Sequence, residues 1–382
     1  MTENPTDGSP TPERSGTGTG ADADGVPARR RFLAAGAALV GGPLLAAAVD
    51  VGGPGLSPAA ASPGGPTGRM PRVVRTPDEA FAGLVDYPFR PHYVGITGGD
   101  GVRGQIRLHY VDEQPAASRQ ATGETILLLH GEPSWSYLWR HVIPPLVAAG
   151  HRVVAPDLIG LGRSDKPTDR FVYTYERHVE WLREALFDRL QLRDVTMVGH
   201  DWGGGLGLRL LAENPDRFRR VVATNTGFDT GAEDRTGAWQ FLTEWFVFTQ
   251  TASPFHPSEV LQTYSASPLD PAVLAAYDAP FPDNTYLEGV RRFPLLIPLS
   301  RQDPAHGANT RAWEILKGLR TPFLCVFSDR DHVTNGDHSA LSAHIAGAQG
   351  QPHTVIAGAE HFLQEDKPAE LAAVVDNFVR HS

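Results

Sequence analysis

Val195-Thr-Met-Val-Gly-His-Asp-Trp-Gly-Gly204 is the stretch whose reading decides the fold. An apolar run ends in Gly-His-Asp-Trp-Gly and passes directly into a segment with helical spacing, 204–213. Strand, sharp turn and helix, with glycines around a central reactive residue, form the pattern of a nucleophile elbow. The glycines are needed because the central residue sits on a strained turn that leaves no room for neighbouring side chains. That central residue is Asp201. The plainer reading of Asp201 is an N-cap in an ordinary strand–helix turn; the rest of the chain decides against it.

Outward from this stretch, short β-branched or Leu-rich runs alternate with longer amphipathic ones. Strands are expected over 106–111, 125–129, 152–155, 195–198, 221–224, 323–327 and 354–356, with helices over 139–149, 175–190, 204–213, 339–345 and 369–380. Such alternation implies an α/β architecture, a mostly parallel, doubly wound sheet with helices on both faces. It breaks between 229 and 302, a stretch dense in Trp, Phe, Tyr and Pro without a convincing strand. A helical insertion late in a parallel sheet reads as a cap over the strand ends, where such sheets bind ligands. The expected organisation is a leader (1–61), a main domain in two parts (62–228 and 303–382) and a cap (229–302). No internal repeat is present.

The whole chain has 382 residues, 34 Lys and Arg against 44 Asp and Glu, and a formal charge of −10. That acidic balance argues against a general nucleic-acid binder, which shows a basic face. One cysteine, Cys325, excludes an internal disulfide and a thiolate metal cluster, and its apolar surroundings make it a buried strand residue. Residues 1–28 are almost devoid of large apolar side chains and cannot offset their ordering entropy. Arg29-Arg30-Arg31-Phe32-Leu33 follows, then a weakly apolar run to Val49 and later Ala59-Ala60-Ala61. This resembles a twin-arginine (Tat) export signal, and the expectation is an exported protein. The run is too short and too rich in Gly and Ala for a stable membrane anchor. A translation start at Met70 would instead give a cytoplasmic protein.

An Asp nucleophile implies particular chemistry. A carboxylate is already ionised at neutral pH and attacks an sp³ carbon bearing a leaving group without a base. Hydrolysing the resulting ester needs a base to activate water and donors for the carbonyl oxygen. His361, in Ala357-Gly-Ala-Glu-His-Phe362, follows the last expected strand, and Asp331 follows the strand before it. Nucleophile, acid, base is the chain order of α/β-hydrolases. Asp331 would orient His361, with Asp329 as the other candidate acid. The oxyanion donors are expected to be the backbone N–H groups of Trp202 and of Glu132, in the loop after the 125–129 strand. His332, His338 and His344 lack metal-ligand spacing and read as surface residues. No metal, nucleotide or flavin motif is present, so no cofactor is expected.

With these residues in place, the chain resembles the haloalkane dehalogenases of the α/β-hydrolase superfamily from about Arg75 to Phe378. The motifs are His130-Gly-Glu-Pro-Ser-Trp-Ser-Tyr-Leu-Trp139, Pro156-Asp-Leu-Ile-Gly-Leu-Gly-Arg-Ser-Asp-Lys-Pro167 and Gly199-His-Asp-Trp-Gly203. The cap contributes Ala279-Pro-Phe-Pro-Asp-Asn-Thr-Tyr286 and Val290-Arg-Arg-Phe-Pro294. The resemblance implies cleavage of carbon–halogen bonds to alcohol, halide and a proton, with Asp331 as the acid and a cap tryptophan as second halide ligand. Trp202 is the first such ligand. Trp239, 38 residues after Asp201, is the expected second, and Trp245 the fallback. Indole is a donor with no acceptor, which suits a halide. Epoxide hydrolases share the Asp nucleophile but need an acid for the opened alkoxide, and Tyr264, Tyr277 and Tyr286 could serve. A non-catalytic binding protein of this fold is the third reading, though all three catalytic positions are filled. The expected partners are a small halogenated hydrocarbon and halide, with the chain acting as a monomer. The pocket is expected among Phe228, Phe241, Phe246, Phe293, Pro294 and Leu295.

Overall fold

The computed structural model describes residues 72–116, 121–233, 239–334 and 338–382, excluding the side chain of Trp239. The leader with its arginine triplet therefore lies outside the described residues. Eight strands form the central sheet among those described: β1 (His92–Thr97), β2 (Gln105–Glu113), β3 (Thr125–Leu129), β4 (Arg152–Pro156), β5 (Val195–His200), β6 (Phe218–Thr224), β7 (Phe323–Ser328) and β8 (Thr354–Ile356). Their spatial order is β8-β7-β6-β5-β3-β4-β2-β1. Neighbours from β8 to β4 run parallel, and β2 and β1 add antiparallel at one edge. Every residue of β5 and of β7 is buried, which is why neither strand shows the apolar–polar alternation of a half-exposed one. Burial pushes the Cys325 thiol up to about 12, so it is an inert core residue.

The register matters for function. Leu129 pairs with Gly199, and His200 with Thr224, so β3, β5 and β6 end level with one another. Helices pack on both faces, among them α1 (Ile143–Ala148), α2 (Tyr175–Arg183) and α3 (Trp202–Glu213). The segment 184–189 continues α2 as a π-helix.

Between β6 and β7 come, among the described residues, the cap α-helices α4 (Trp239–Thr251), α5 (Pro257–Thr263), α6 (Pro271–Asp278) and α7 (Glu288–Arg292). They are followed by α8 (His306–Gly318), which packs on α3. The cap is fastened to the main domain by directed bonds as well as packing. The Trp135 indole donates to the Ala276 carbonyl (3.2 Å), and the Thr76 hydroxyl to that of Pro280 (2.6 Å). The Phe362 N–H donates to the Tyr264 carbonyl (3.2 Å), and the Ala266 N–H to Asp366 (2.8 Å). Beneath the cap, Arg140 forms a buried two-pronged pair with Glu365 (2.5 and 2.7 Å), and the Tyr277 hydroxyl donates to the same carboxylate. A buried pair of this kind is weak evidence for stability in itself, because desolvation offsets its attraction. Its directional bonds do fix how α6 sits over the His361 loop. Among the described residues no helix is long and apolar enough to cross a membrane.

Candidate active site

Asp201 caps the C-terminal end of β5 with φ +50°, in the left-handed region that a non-glycine residue seldom occupies. Its carboxylate makes no N-cap bond into α3, although the N–H of Trp202, the first residue of that helix, also stabilises it. It turns instead toward the end of β3, where Oδ1 accepts the Glu132 N–H (3.0 Å). Two glycines make this approach possible. A Cβ on Gly131 would lie 2.1 Å from Asp201 Oδ1, and one on Gly203 would lie 2.4 Å from the Leu129 carbonyl oxygen.

His361 stands beside it. Nε2 is 3.7 Å from Asp201 Oδ2, and Nδ1 is 3.1 Å from Asp331 Oδ1. Asp331 also accepts the Val333 N–H (2.8 Å) and the Thr334 hydroxyl. A carboxylate accepting at Nδ1 selects the tautomer whose Nε2 lone pair faces Asp201. Asp329 takes no part in this. Its carboxylate accepts the Gly358 N–H (2.7 Å) and shapes the turn after β8.

The charges of the site are coupled. Burial alone would push the His361 imidazolium down, but Asp331, aided by Asp201 and Glu360, outweighs it and raises the pKa above its ordinary value. Burial would raise Asp331, yet the His361 charge and hydrogen bond, with Thr334 and Val333, hold it well below the usual carboxylate range. Asp201 is raised, chiefly by burial, against the stabilising pull of His361 and of the Trp202 and Glu132 N–H groups. Burial, with Asp201 adding to it, pushes the Glu132 side chain well above the carboxylate range, which favours the neutral acid. Its Oε1 has no hydrogen-bond partner among the described residues.

A cavity of about 290 Å³ opens over Asp201, His361 and Glu132. Its further walls include Trp202, Phe241, Leu242, Trp245, Val260 and Tyr264. Of the six residues expected to shape the pocket, Phe241 alone lines it. Phe293 is fully buried, packing on Trp202 with ring centres 5.2 Å apart, while Phe228 stacks on Trp313 and Leu295 is exposed. Of the two cap tryptophans, Trp245 lines the cavity. Trp239 opens α4, but its side chain lies outside the described residues. Of the three tyrosines weighed as acids, Tyr264 reaches the cavity, Tyr277 is spent on Glu365, and Tyr286 packs on the core.

Sequence reasoning missed the residues that hold the base loop. His200 is fully buried, and its Nε2 donates to the His361 carbonyl (2.9 Å). Burial pushes its pKa well below the ordinary imidazole value, so it is a neutral prop. Asn225, just past β6, was equally silent. The available signal was a polar Asn-Thr following an apolar strand, at the ligand-binding end of a parallel sheet.

A family model described as the alpha/beta hydrolase fold matches residues 124–368. Among curated proteins, a haloalkane dehalogenase of Psychrobacter cryohalolentis is 47% identical over 308 residues, covering 81% of this chain and 98% of its own. Haloalkane dehalogenase 1 of Mycobacterium tuberculosis is 51% identical over 303 residues, 78% of this chain and 96% of its own. Among solved structures, the tetrameric haloalkane dehalogenase DpaA of Paraglaciecola agarilytica superposes with a TM-score of 0.71 at 36% identity, over 79% of this chain and 97% of that one. Haloalkane dehalogenase DatA of Agrobacterium tumefaciens gives 0.62 at 27% identity, over 80% and 100%.

Proposed function

The chain belongs to the haloalkane dehalogenases, within the α/β-hydrolase fold, and on that premise we propose that it cleaves carbon–halogen bonds through an ester on Asp201. The observation that carries the residue assignment is one carboxylate, Asp201, set 3.7 Å from an Asp331-bound imidazole in a cavity whose walls include Trp202, Trp245, Leu242 and Val260. In the first half-reaction Asp201 attacks the halogen-bearing carbon; the C–O bond forms and halide leaves with the bonding pair. Halide needs no proton, only donors in a dry site, which Trp202 and a cap tryptophan provide. In the second, His361 takes a proton from water as the hydroxyl adds to the ester carbonyl. The Glu132 and Trp202 N–H groups hold the oxyanion. Collapse expels the alkoxide, which takes the proton back from His361 and leaves as the alcohol, and Asp201 releases its own proton. Esterification also removes the Asp201 charge that helps keep His361 protonated, so the base is freed at the step that needs it.

Halide release from 1-chlorobutane or 1,2-dibromoethane, measured beside diol formation from styrene oxide, tests this reading. Halide without diol is expected; diol alone would hand the site to the epoxide chemistry that Tyr264 could assist. The pH dependence adds a sign. Hydrolysis needs neutral His361, so its rate falls as pH drops through the imidazole range, whereas alkylation needs only ionised Asp201 and persists to lower pH. Single-turnover traces in which both steps fail together in the imidazole range would reject the division of labour.

We also propose Tat export, supported by Arg29-Arg30-Arg31-Phe32-Leu33 and the weakly apolar run after it. A reporter fused to residues 1–65 should be exported in a Tat-competent host, and Arg29→Lys with Arg30→Lys should block it. Export that survives the double change would overturn this. We further propose that the chain acts as a monomer, unlike the tetrameric DpaA it resembles, which sedimentation velocity tests.

A further inference from the structure

We infer that Asn225 is a positioning residue that locks the base loop for the hydrolytic half-reaction. It is fully buried, and it joins the three segments that carry Asp201, Asp331 and His361. Its backbone carbonyl accepts the Asp201 N–H (3.2 Å). Its Oδ1 accepts the N–H of Ser328, the last residue of β7 and three residues before Asp331 (2.9 Å). Its Nδ2 faces the Ser328 hydroxyl (2.8 Å) and the carbonyls of Glu360 (3.1 Å) and His361 (2.9 Å). The Ser328 hydroxyl donates in turn to the Glu360 carbonyl (2.7 Å). Two carbonyls on one side and an N–H on the other assign the amide orientation without ambiguity.

The residue type follows from this environment. Asn225 has φ +38°, a region that Asn tolerates better than most side chains. The site also demands donor and acceptor on one short planar group. Asp would set a carboxylate against two carbonyls, and Gln would overreach. Asn225 does not line the cavity, although Thr226 and Gly227 next to it do, so it acts through His361 rather than on substrate. A base displaced by an ångström loses about a hundredfold in rate. Alkylation does not use His361 and should be spared.

This inference rests on the two-step reading above. Asn225→Gly keeps the backbone angle accessible and removes every side-chain bond. Ser328→Ala removes the hydroxyl from the same network and serves if the first variant does not fold. Each is mixed with 1,2-dibromoethane, and halide release is followed through the first turnover and into steady state. The expected result is a first-turnover halide release of unchanged rate, a steady-state rate per active site lowered about tenfold or more, and an alkyl adduct accumulating on the Asp201 peptide. A merely structural role would shrink the first-turnover amplitude with the folded fraction and leave turnover per competent site unchanged, which would overturn the inference. So would a first-turnover rate that falls in parallel with kcat. In a His361→Gln background Asn225→Gly should change nothing further; absence of an adduct in His361→Gln itself would sink the two-step reading instead.

Discussion

A His361→Gln enzyme mixed with 1,2-dibromoethane should release about one bromide per active site and then stall. The expectation follows from the placement of two carboxylates around one imidazole. In the proposed mechanism Asp201 is the nucleophile as it stands, and its Oδ1 rests on the Glu132 N–H. His361 has, in that mechanism, only the later task of taking a proton from water. Its loss should lower steady-state turnover by on the order of 10²–10⁴, the range supplied by a positioned general base. The first chemical step should keep its rate, and mass spectrometry should find a bromoethyl group on the peptide containing Asp201. Asp201→Ala should release no halide and carry no adduct. Asp331→Asn should deacylate slowly, because the base remains but has lost the carboxylate charge 3.1 Å from Nδ1 that orients it. A His361→Gln enzyme without the initial release, or an adduct on another residue, would overturn both assignments.

The second large effect concerns the halide. Trp202→Phe and Trp239→Phe should each weaken chloride binding and slow carbon–halogen cleavage while leaving the hydrolytic step alone. In the proposed halide clamp each change removes one indole donor to the charge that develops as halide leaves, an expected loss of about 3 kcal/mol or roughly a hundredfold. Phe retains the bulk of the wall, which matters for Trp202, packed between Tyr175 and Phe293. Chloride quenching of tryptophan fluorescence checks the binding, and single-turnover halide release checks the chemistry. Trp245 is the informative comparison, since it lines the cavity and stacks on Phe248. Unchanged quenching in Trp239→Phe together with loss in Trp245→Phe would transfer the second ligand to Trp245.

The sheet was legible because its central strands are buried on both faces. The run 323–327 is apolar throughout and 195–198 is broken only by Thr196, the near-continuous pattern of strands covered on both faces. The edge strand β1 was not read, because His92–Thr97 mixes polar residues with Gly95 and is only half buried. Helix α8 escaped as well, since few of its thirteen residues face the core. Asp201, Asp331 and His361 stood out through chain order and glycine spacing. Asn225 and His200 did not, because a supporting role is defined by what a side chain reaches in space. Sequence neighbours carry no trace of a bond to a carbonyl 136 residues away. The pocket wall was misjudged for a related reason: aromatic residues are equally suited to a core and to a cavity, and only packing separates Phe293 from Phe241.

The bonds that tie cap to main domain limit how small molecules can reach Asp201. Phe362 is the residue after His361, and its N–H is held by the carbonyl of Tyr264 in the cap. Glu365 and Asp366, a few residues further on, are gripped by Tyr277 and Ala266. A hinged opening of the whole roof would therefore pull on the loop that carries the base and disassemble the catalytic centre each time a molecule passed. Traffic is therefore expected to run through seams between roof helices, widened by side-chain rotation on the picosecond to nanosecond scale rather than by domain motion. Molecular girth is then screened at the doorway, before any bond to halogen is tested, and the residues bordering those seams become levers on turnover that never touch the reacting atoms.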